Sequence, residues 1–352
     1  MTPRADGFHM PPEWARHDGC WMLWPHRADT WREGGAPAQR AFAAVAAAIV
    51  TSERVWMGAP ADQCAAAREH LAESIEVVEV PSDDAWMRDV GPTFVVDDHG
   101  HRRGVDWMFN AWGGLYGSWQ QDDAVAARVL EHTGDVGHRA PLVLEGGSIE
   151  VDGEGTVLTT EQCLLNPNRN PSLSRADIEH ELREHLGVER VVWLGDGVVD
   201  DETSGHIDNL ARFVRAGVVA LTWTDDDDDP QHTVSFDARR RLEASGLDVR
   251  LVPSPGPLFM TAEEAAGVAV VPGTKVRAAG DRLAGSYANF YVANGAVIVP
   301  LLDERHDDAA LAILGDLFPD RPVVGVPARE ILLGGGNIHC ITQQVPSRTL
   351  EA

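Results

Sequence analysis

The feature that most constrains the fold of this chain is a short hairpin signal, which occurs twice among alternating strands and helices. Asp152-Gly153 and Asn294-Gly295 each lie between two β-rich runs. Asp-Gly and Asn-Gly are the dipeptides that two-residue β-hairpins favour. A parallel doubly wound sheet joins its strands by long helical crossovers instead, so it is disfavoured here. The sequence therefore predicts an α/β fold made of repeated hairpin-plus-helix units.

The elements between these signals are short. Helical patterns are predicted at residues 38–50, 63–74, 122–133 and 174–187, the last opening with a capping pattern, Ser-Arg-Ala-Asp. Strands are predicted at residues 55–57, 76–80, 93–97, 148–151, 156–159, 191–194, 218–223, 249–252, 290–292 and 296–299. No low-complexity linker divides the chain, and the acidic block 225–229 is predicted to be an exposed loop tip. We expect one domain over residues 1–352.

Composition limits the partners of the chain. The 55 acidic and 29 basic residues give a formal net charge of −26, which repels nucleic acid and anionic membranes and attracts small cations. No apolar stretch approaches the length of a membrane span, and the N-terminus lacks the apolar core of a signal peptide. We therefore expect a cytoplasmic protein.

Metal and cofactor signals are absent from the sequence. The cysteines (Cys20, Cys64, Cys163 and Cys340) are far apart and show neither disulfide-framework nor zinc-finger spacing. There is no GxGxxG or Walker motif. We expect no metal and no cofactor, and we expect the first three cysteines to be buried thiols.

One cysteine has the setting of a nucleophile. Cys340 follows the run Gly334 to Gly336, which removes every Cβ from a short segment and lets the backbone turn sharply. Buried free cysteine is common, so this context alone leaves core packing as an alternative. His339 is adjacent, but on a strand it would point to the opposite face.

Three further polar clusters border glycine or proline. They contain Asp89 in segment 83–92, Glu145 in segment 144–148, and His206 with Asp208 in segment 205–209. If the last segment is a strand, His206 and Asp208 leave it on the same face. Taken singly, each cluster is more often structural than catalytic, but together they supply a thiol, an imidazole and three carboxylates.

That combination favours a cationic electrophile. A thiolate with a histidine suggests acyl or amidino transfer, but carboxylates oppose the oxyanion of amide hydrolysis. A guanidinium is planar and permanently charged, and its donors match carboxylate oxygens. Trp86 and Trp112 are predicted to contact the rest of the substrate, with a framework role as the alternative. The set predicts attack by Cys340 on a guanidinium carbon.

Seven stretches of the chain resemble the agmatine deiminase family. They are residues 19–25, 86–92, 106–114, 144–148, 166–171, 205–209 and 330–344. The longest run, Arg-Glu-Ile-Leu-Leu-Gly-Gly-Gly-Asn-Ile-His-Cys-Ile-Thr-Gln-Gln, is highly specific, and the resemblance extends from about residue 10 to residue 346. Ser204 and Glu150 depart from the family pattern, which commonly has asparagine and histidine there.

The resemblance implies a fold and a reaction. The family belongs to the guanidine-modifying (pentein) superfamily, so the expected fold is a five-bladed α/β propeller of pseudo-symmetric ββαβ units around a central active site. The expected activity is hydrolysis of agmatine to N-carbamoylputrescine and ammonia, a step of polyamine metabolism, by a homo-oligomeric enzyme.

The resemblance also assigns roles to the clustered residues. Cys340 is the nucleophile, His206 the general acid and base, and Asp89 and Asp208 the carboxylates that hold the guanidinium. Glu145 supports both His206 and the guanidinium. The alternative is a deiminase of peptidyl or free arginine. A guanidine-binding protein without turnover is also considered, but the intact Cys/His pair argues against it.

Overall fold

The computed structural model describes residues 2–348 and contains short helices and short strands throughout. The α-helices in this part of the chain are α1 (Ala36–Ile49), α2 (Cys64–His70), α3 (Met87–Val90), α4 (Ala111–Gly114), α5 (Val125–Thr133), α6 (Glu161–Leu164), α7 (Arg175–Leu186), α8 (Ile207–Leu210), α9 (Pro230–Ala244), α10 (Ala262–Ala266), α11 (Asp307–Leu317) and α12 (Arg329–Leu332). The strands are β1 (His17–Leu23), β2 (Arg54–Ala59), β3 (Glu76–Glu79), β4 (Thr93–Val96), β5 (Arg102–Met108), β6 (Val136–Val143), β7 (Glu150–Val151), β8 (Thr156–Thr160), β9 (Arg190–Leu194), β10 (Ala211–Arg215), β11 (Val218–Trp223), β12 (Asp248–Pro253), β13 (Leu258–Phe259), β14 (Arg282–Leu283), β15 (Tyr291–Val292), β16 (Val297–Leu301), β17 (Val323–Pro327) and β18 (Gln343–Pro346). The predicted α/β class is confirmed.

One strand arrangement recurs along the chain. Two antiparallel strands are followed by a helix and by a third strand that runs parallel to the second. This order is found in β4-β5-β6, β7-β8-β9, β10-β11-β12 and β15-β16-β17, with α5, α7, α9 and α11 as the crossover helices. We call each of these groups a unit.

A further unit joins the two ends of the chain. β18 pairs antiparallel with β1, β1 pairs parallel with β2 after α1, and β3 extends the sheet. β13 and β14 form a separate two-stranded hairpin. The predicted hairpin-plus-helix repeat is therefore present. In the unit that contains β1 and β2, the antiparallel partner strand is β18.

The two hairpin turns differ from each other. Asn294-Gly295 is a two-residue turn, closed by a hydrogen bond from Ala293 N to Ala296 O at 2.9 Å. The prediction of a two-residue turn at Asp152-Gly153 is wrong, because β7 ends at Val151 and β8 begins at Thr156, which leaves four residues in the loop. The Asp152 carboxylate accepts the backbone N–H groups of Glu154 and Thr156 at 2.8 Å each, which holds the wider loop.

Local capping explains where two of the helices begin. The Ser174 hydroxyl accepts the N–H of Asp177, and the Asp177 carboxylate accepts the N–H of Ser174, so α7 begins with the predicted capping box. The acidic block 225–229 is an exposed loop over its first four residues, as predicted. Its last residue, Asp229, is buried, caps α9 and pairs with Arg282 at 2.9 Å.

Apolar side chains pack between the sheets and helices, and the largest buried ones include Trp21, Trp24 and Trp31. All four cysteines are buried and free, which confirms the prediction for Cys20, Cys64 and Cys163. In the part of the chain from residue 2 to 348, none of the helices has both the length and the apolar character that crossing a bilayer requires. Buried polar side chains collect on the connections between units.

Candidate active site

The candidate site residues come from corresponding places in the repeat. Each lies on a connection that leads towards the first strand of a unit: Asp89 before β4, Glu145 before β7, His206 and Asp208 before β10, Asn289 before β15, and Cys340 before β18. These connections are short turns or single-turn helices such as α3 and α8. The repeat therefore supplies one polar side chain or more from every unit.

Gly147 marks the point at which several of these residues meet. A Cβ atom built on Gly147 would lie 2.6 Å from His206 Nδ1, 2.9 Å from Asp89 Oδ1 and 3.0 Å from Asp208 Oδ2. Any side chain at this position would collide with all three groups. The histidine and carboxylates singled out in the sequence thus lie around one point.

Cys340 faces this cluster. Its Sγ lies 3.7 Å from Asp208 Oδ2 and 3.3 Å from Asn289 Nδ2. Asn289 Nδ2 also donates to Asn209 Oδ1 at 2.9 Å. Sequence reasoning did not identify Asn289 as a site residue, although its position before the first strand of a unit is equivalent to the others. The thiol is held between an amide and a carboxylate.

Gly336 provides the space beside the sulfur. A Cβ atom here would lie 3.1 Å from Cys340 Sγ and 2.6 Å from a ring carbon of Trp86. The glycine run before the cysteine thus permits close packing of Trp86 against Cys340.

His206 lies between two carboxylates. Its Nδ1 is 3.8 Å from Asp89 Oδ1 and its Nε2 is 3.5 Å from Glu145 Oε2. The conditional expectation of a strand here is wrong: His206 precedes the single-turn helix α8, which carries Asp208. Burial alone would lower the pKa of His206, but the Asp89 charge and contacts with Cys163 and Glu145 raise it well above its usual value. The imidazole is therefore positively charged near neutral pH.

The first carboxylate, Asp89, is a weak acid. Burial raises its pKa to about 6, and the charges of Asp208 and Glu145 add to this effect. Both of its oxygens have donors, since Oδ2 accepts the Trp112 indole N–H at 2.9 Å and Oδ1 accepts the Gly147 N–H at 3.0 Å. Asp89 is therefore fixed in orientation but sensitive to mild acid.

Glu145 and Asp208 are more strongly acidic. Glu145 is fully buried, yet the Arg169 guanidinium, 2.7 Å away, outweighs burial and lowers the pKa of Glu145 to about 2. Burial also acts against ionisation of Asp208, but its pKa is lowered by the hydrogen bond from His339 Nδ1 at 2.7 Å. Asp208 Oδ1 is buried without a hydrogen-bond partner among residues 2–348. One oxygen of Asp208 is therefore free to accept a donor from a ligand.

Burial and the nearby carboxylates Asp208 and Asp89 raise the pKa of the Cys340 thiol well above its usual value. The sulfur is consequently protonated in the empty pocket at neutral pH. A cation placed between the sulfur and the carboxylates would reverse this effect.

A narrow pocket opens onto these groups. Its lining includes five predicted residues, namely Cys340, His206, Asp89, Trp86 and Trp112. The rest of the described lining is Glu202, Thr203, Asn209, Gly335 and Gly336, of which the sequence argument had singled out only the glycines. Glu145 and Asp208 lie behind this lining, in contact with it.

The two tryptophans are held differently. Trp86 packs on Trp31 with ring centroids 5.0 Å apart. Trp112 has a left-handed backbone, with φ at 53°, and its indole is tied to Asp89. A non-glycine residue in this conformation is strained, and such strain is found where surrounding contacts fix a functional side chain. Both tryptophans thus line the pocket and also have framework contacts.

Glu202 places another carboxylate in the pocket wall. Arg277 donates to both of its oxygens, at 2.8 and 3.2 Å, and Lys275 lies 3.6 Å away. Arg277 also contacts Tyr116 and the carbonyl of Gly334. The cations nearest this wall are therefore already engaged by protein groups.

The departures noted in the sequence lie beside the site without removing any of its groups. Glu150 is buried and its Oε2 accepts from Arg212 Nε at 2.7 Å. Ser204 has a left-handed backbone, with φ at 69°, two residues before His206.

Among the described residues, one set of three side chains has donor atoms that suit a metal ion. Glu145, Cys163 and His206 offer one atom each, all within 4.8 Å of one another. Glu145 is already paired with Arg169, and burial raises the pKa of the Cys163 thiol. Because Glu145 is held in a buried ion pair and the Cys163 thiol is protonated, this set of residues is a poor metal site.

The sequence of the chain matches a known family of proteins over nearly its whole length. The chain belongs to the Porphyromonas-type peptidyl-arginine deiminase family, whose sequence model matches residues 9–346. This extends over nearly all of the described chain.

Several similar proteins are agmatine deiminases, which confirms the resemblance found in the sequence. The chain is 56% identical over 358 residues to the agmatine deiminase of Pseudomonas aeruginosa (strain LESB58), covering 98% of this chain and 97% of the relative. The structure of the Enterococcus faecalis agmatine deiminase catalysing its reaction superimposes with a TM-score of 0.95 at 45% identity, covering 99% and 98% of the two chains. A cysteine-to-serine variant of the C. jejuni agmatine deiminase with substrate bound superimposes with a TM-score of 0.86 at 27% identity, covering 97% and 96%.

Proposed function

We propose that this chain is an agmatine deiminase, which hydrolyses agmatine to N-carbamoylputrescine and ammonia. The observation that carries the proposal is the position of Cys340 Sγ, 3.7 Å from Asp208 Oδ2 and beside a pocket lined by Asp89 and His206. Anions around a thiol hinder a neutral electrophile but favour a cationic one. Agmatine deiminases at 54–56% identity support the same substrate.

Substrate binding uses the carboxylates. The guanidinium donates to Asp208 Oδ1, which has no partner among the described residues, and to Asp89. Charge-assisted hydrogen bonds of this type are short and strong, and the guanidinium plane matches two carboxylates well. Trp86 and Trp112 flank the aliphatic part of the substrate. Glu145 acts indirectly, through its contact with His206.

The first chemical step forms a covalent intermediate. Arrival of the substrate cation lowers the pKa of the Cys340 thiol, whose proton leaves to solvent. The thiolate attacks the guanidinium carbon and gives a tetrahedral adduct. His206, as imidazolium, donates a proton to one amino group, the C–N bond breaks, and ammonia leaves. The cationic amidino-thioether remains held by Asp89 and Asp208.

The second step releases the product. Neutral His206 takes a proton from a water molecule, whose oxygen attacks the same carbon. The new tetrahedral adduct collapses to a C=O group, the C–S bond breaks and Cys340 regains its thiolate. The hydroxyl proton leaves to solvent. Each turnover consumes one water and restores the imidazolium of His206.

The alternative, a deiminase of free or peptidyl arginine, fits the pocket less well. The α-carboxylate of free arginine needs a cation, but the described lining contains no lysine or arginine and does contain Glu202. The terminal nitrogens of Arg277 behind Glu202 already donate to Glu202, Tyr116 and the Gly334 carbonyl. A terminal ammonium, as in agmatine, suits this wall electrostatically.

The test is ammonia release from agmatine, free arginine and a peptidyl arginine. Wild-type protein should act on agmatine, and Cys340→Ala should release no ammonia. Glu202→Gln should lower the agmatine-to-arginine ratio of kcat/KM by about tenfold or more, since it removes a charged partner and exposes Arg277. Equal activity of Cys340→Ala, or turnover of arginine alone, would overturn the proposal.

We further propose that the units form a five-bladed propeller within one domain covering residues 1–352, and that the enzyme is a cytoplasmic homo-oligomer. The pairing of β18 with β1 and the equivalent placement of the site segments support the propeller. Four free cysteines suit a reducing compartment. Light scattering of the purified protein tests the oligomer, and limited proteolysis tests the single domain.

A further inference from the structure

His339, next to the nucleophile, lies in a buried chain of charged groups. Its Nδ1 is 2.7 Å from Asp208 Oδ2 and its Nε2 is 2.8 Å from Glu13 Oε2. All three side chains are at most 5% exposed. The expectation that His339 points away on a strand is wrong, because residues 338–341 form a turn. The ring instead lies directly behind the carboxylate that faces Cys340.

Two carboxylate partners determine the protonation of this ring. Ionised carboxylates only accept hydrogen bonds, and a neutral imidazole has only one N–H. Both contacts are short, so both ring nitrogens donate and His339 is an imidazolium. Its positive charge is therefore shared between Asp208 and Glu13.

The charges around the ring are balanced. Glu13 also contacts Arg88 at 3.1 Å and Arg212 at 3.0 Å. Arg212 contacts Glu150 at 2.7 Å in turn. These arginines keep Glu13 ionised, as its pKa is lowered well below the usual value although burial opposes this. Glu13 can thus anchor the far side of the His339 ring.

The backbone of His339 is fixed as well. Its N–H donates to Asn289 Oδ1 at 2.9 Å, and Asn289 also contacts the sulfur of Cys340. Through its side chain and its backbone, His339 therefore links Asp208, Asn289 and the nucleophile. Rotation of Asp208 would break the bond from His339 Nδ1 and leave a buried charge unpaired.

We propose that His339 is a positioning residue for this reaction. Its ring holds Oδ2 of Asp208 beside Cys340 and keeps this carboxylate ionised, which leaves Oδ1 without a partner among residues 2–348 as the acceptor for the guanidinium. This inference rests on the proposed function, because it assigns His339 to the binding of the same cation. His339 itself does not touch the substrate.

The test compares two substitutions at His339 with a buried histidine elsewhere. His339→Gln removes the charge, and His339→Lys keeps it without the ring geometry. His17→Gln is the matched control, since His17 is 1% exposed, lies 3.3 Å from Glu53 and is outside the pocket lining. The readout is the pH profile of kcat/KM for agmatine, with kcat and KM separated.

Charge and geometry should have distinct effects. For His339→Gln we expect KM to rise at least about tenfold, and we expect the acid limb, which Asp89 alone sets in the wild type, to move to higher pH and steepen, because an uncompensated Asp208 then protonates in the same range. For His339→Lys we expect a wild-type acid limb with a raised KM. His17→Gln should change neither. Wild-type acid limbs in both His339 variants, or equal shifts in both, would overturn the proposal.

A second measurement needs no change at His339. Agmatine binding to the Cys340→Ser variant is followed by calorimetry at pH 5 in two buffers that differ in ionisation heat. Asp89, with a pKa of about 6, should release about one proton on binding, and Asp208 should release none because His339 keeps it ionised. Release of two protons would contradict the role of His339. Failure of wild-type turnover together with absent binding would instead refute the proposed function.

Discussion

Removing the charge of Asp208 should make Cys340 more acidic and the enzyme less active. The sulfur lies 3.7 Å from Asp208 Oδ2. At an effective dielectric constant of about 20, a unit charge at this distance opposes the thiolate by about 4 kcal/mol, or about three pKa units. The imidazolium of His339 offsets part of that charge. We therefore expect Asp208→Asn to lower the pKa of the thiol by about two units.

The same substitution should weaken catalysis. A hydrogen bond to a charged partner contributes about 1.5–3 kcal/mol, so kcat/KM for agmatine should fall by about 10- to 100-fold or more. Partial unfolding would also expose the buried thiol, lower its pKa and reduce turnover, because burial is the largest cause of its raised pKa. A denaturant unfolding curve that matches the wild-type curve therefore separates electrostatics from general damage to the fold.

The assay is alkylation of the free enzyme by iodoacetamide as a function of pH, with intact mass spectrometry to count the modified thiols. All four cysteines are buried, but Cys340 lines the pocket and the other three do not, so peptide mapping should place the modification on Cys340. Glu53→Gln is the control, because Glu53 is a buried carboxylate bonded to Tyr291 and outside the pocket. A thiol pKa in Asp208→Asn equal to or above that of wild type would refute the electrostatic account.

Further predictions follow from the same contacts. A non-reactive guanidinium analogue should lower the alkylation pKa of Cys340, and an unchanged value would count against substrate-induced ionisation. Activity should be lost as pH falls through about 6, where Asp89 gains a proton, and a profile flat to pH 5 would contradict this. Glu145→Gln leaves the charge of the buried Arg169 unpaired and should lower the free energy of unfolding in denaturant by about 3–5 kcal/mol. A decrease below about 1 kcal/mol would contradict this prediction. Gly336→Ala places a Cβ 3.1 Å from the sulfur and should slow alkylation and turnover together, whereas normal rates of both would show that the segment can move.

Local sequence was sufficient to select the polar residues that form the candidate site. Asp89, Asp208 and His206 lie in short glycine-bordered segments and meet around Gly147. Cys340 Sγ lies 3.7 Å from Asp208 and Glu145 lies 3.5 Å from His206, so both residues adjoin this cluster. The chemistry of a cationic substrate followed from the set. Their positions before the first strands of successive units were not visible, because hydrophobic periodicity does not show how units are arranged.

Residues that act by contact between distant segments were missed. The role of Asn289 depends on a cysteine 51 positions away, and that of Glu13 on a histidine 326 positions away. His339 was set aside because a strand was assumed, whereas a turn directs its ring at Asp208. Glu202 lies in a segment near His206, but its place in the pocket wall depends on the distant Arg277.

Some strands were missed for a related reason. β5 contains the buried Arg102, which pairs with Asp18 at 2.8 Å and Asp135 at 2.9 Å. Charges of this kind hide the apolar alternation on which strand prediction depends. β6 contains Pro141 and pairs with β5 across an irregular register. Both strands are stabilised by tertiary contacts more than by local preference.

The arrangement of charges links substrate selection to the reactivity of the nucleophile. In the empty pocket, Asp89 and Asp208 hold the sulfur as a thiol, which is a poor nucleophile. A neutral amide or ester that entered would leave those charges uncompensated and meet the same thiol. A guanidinium, by contrast, pairs with the carboxylates and so removes the field that opposes ionisation of Cys340. Selection by charge therefore acts on the chemical step as well as on binding, which is where discrimination between substrates is most effective.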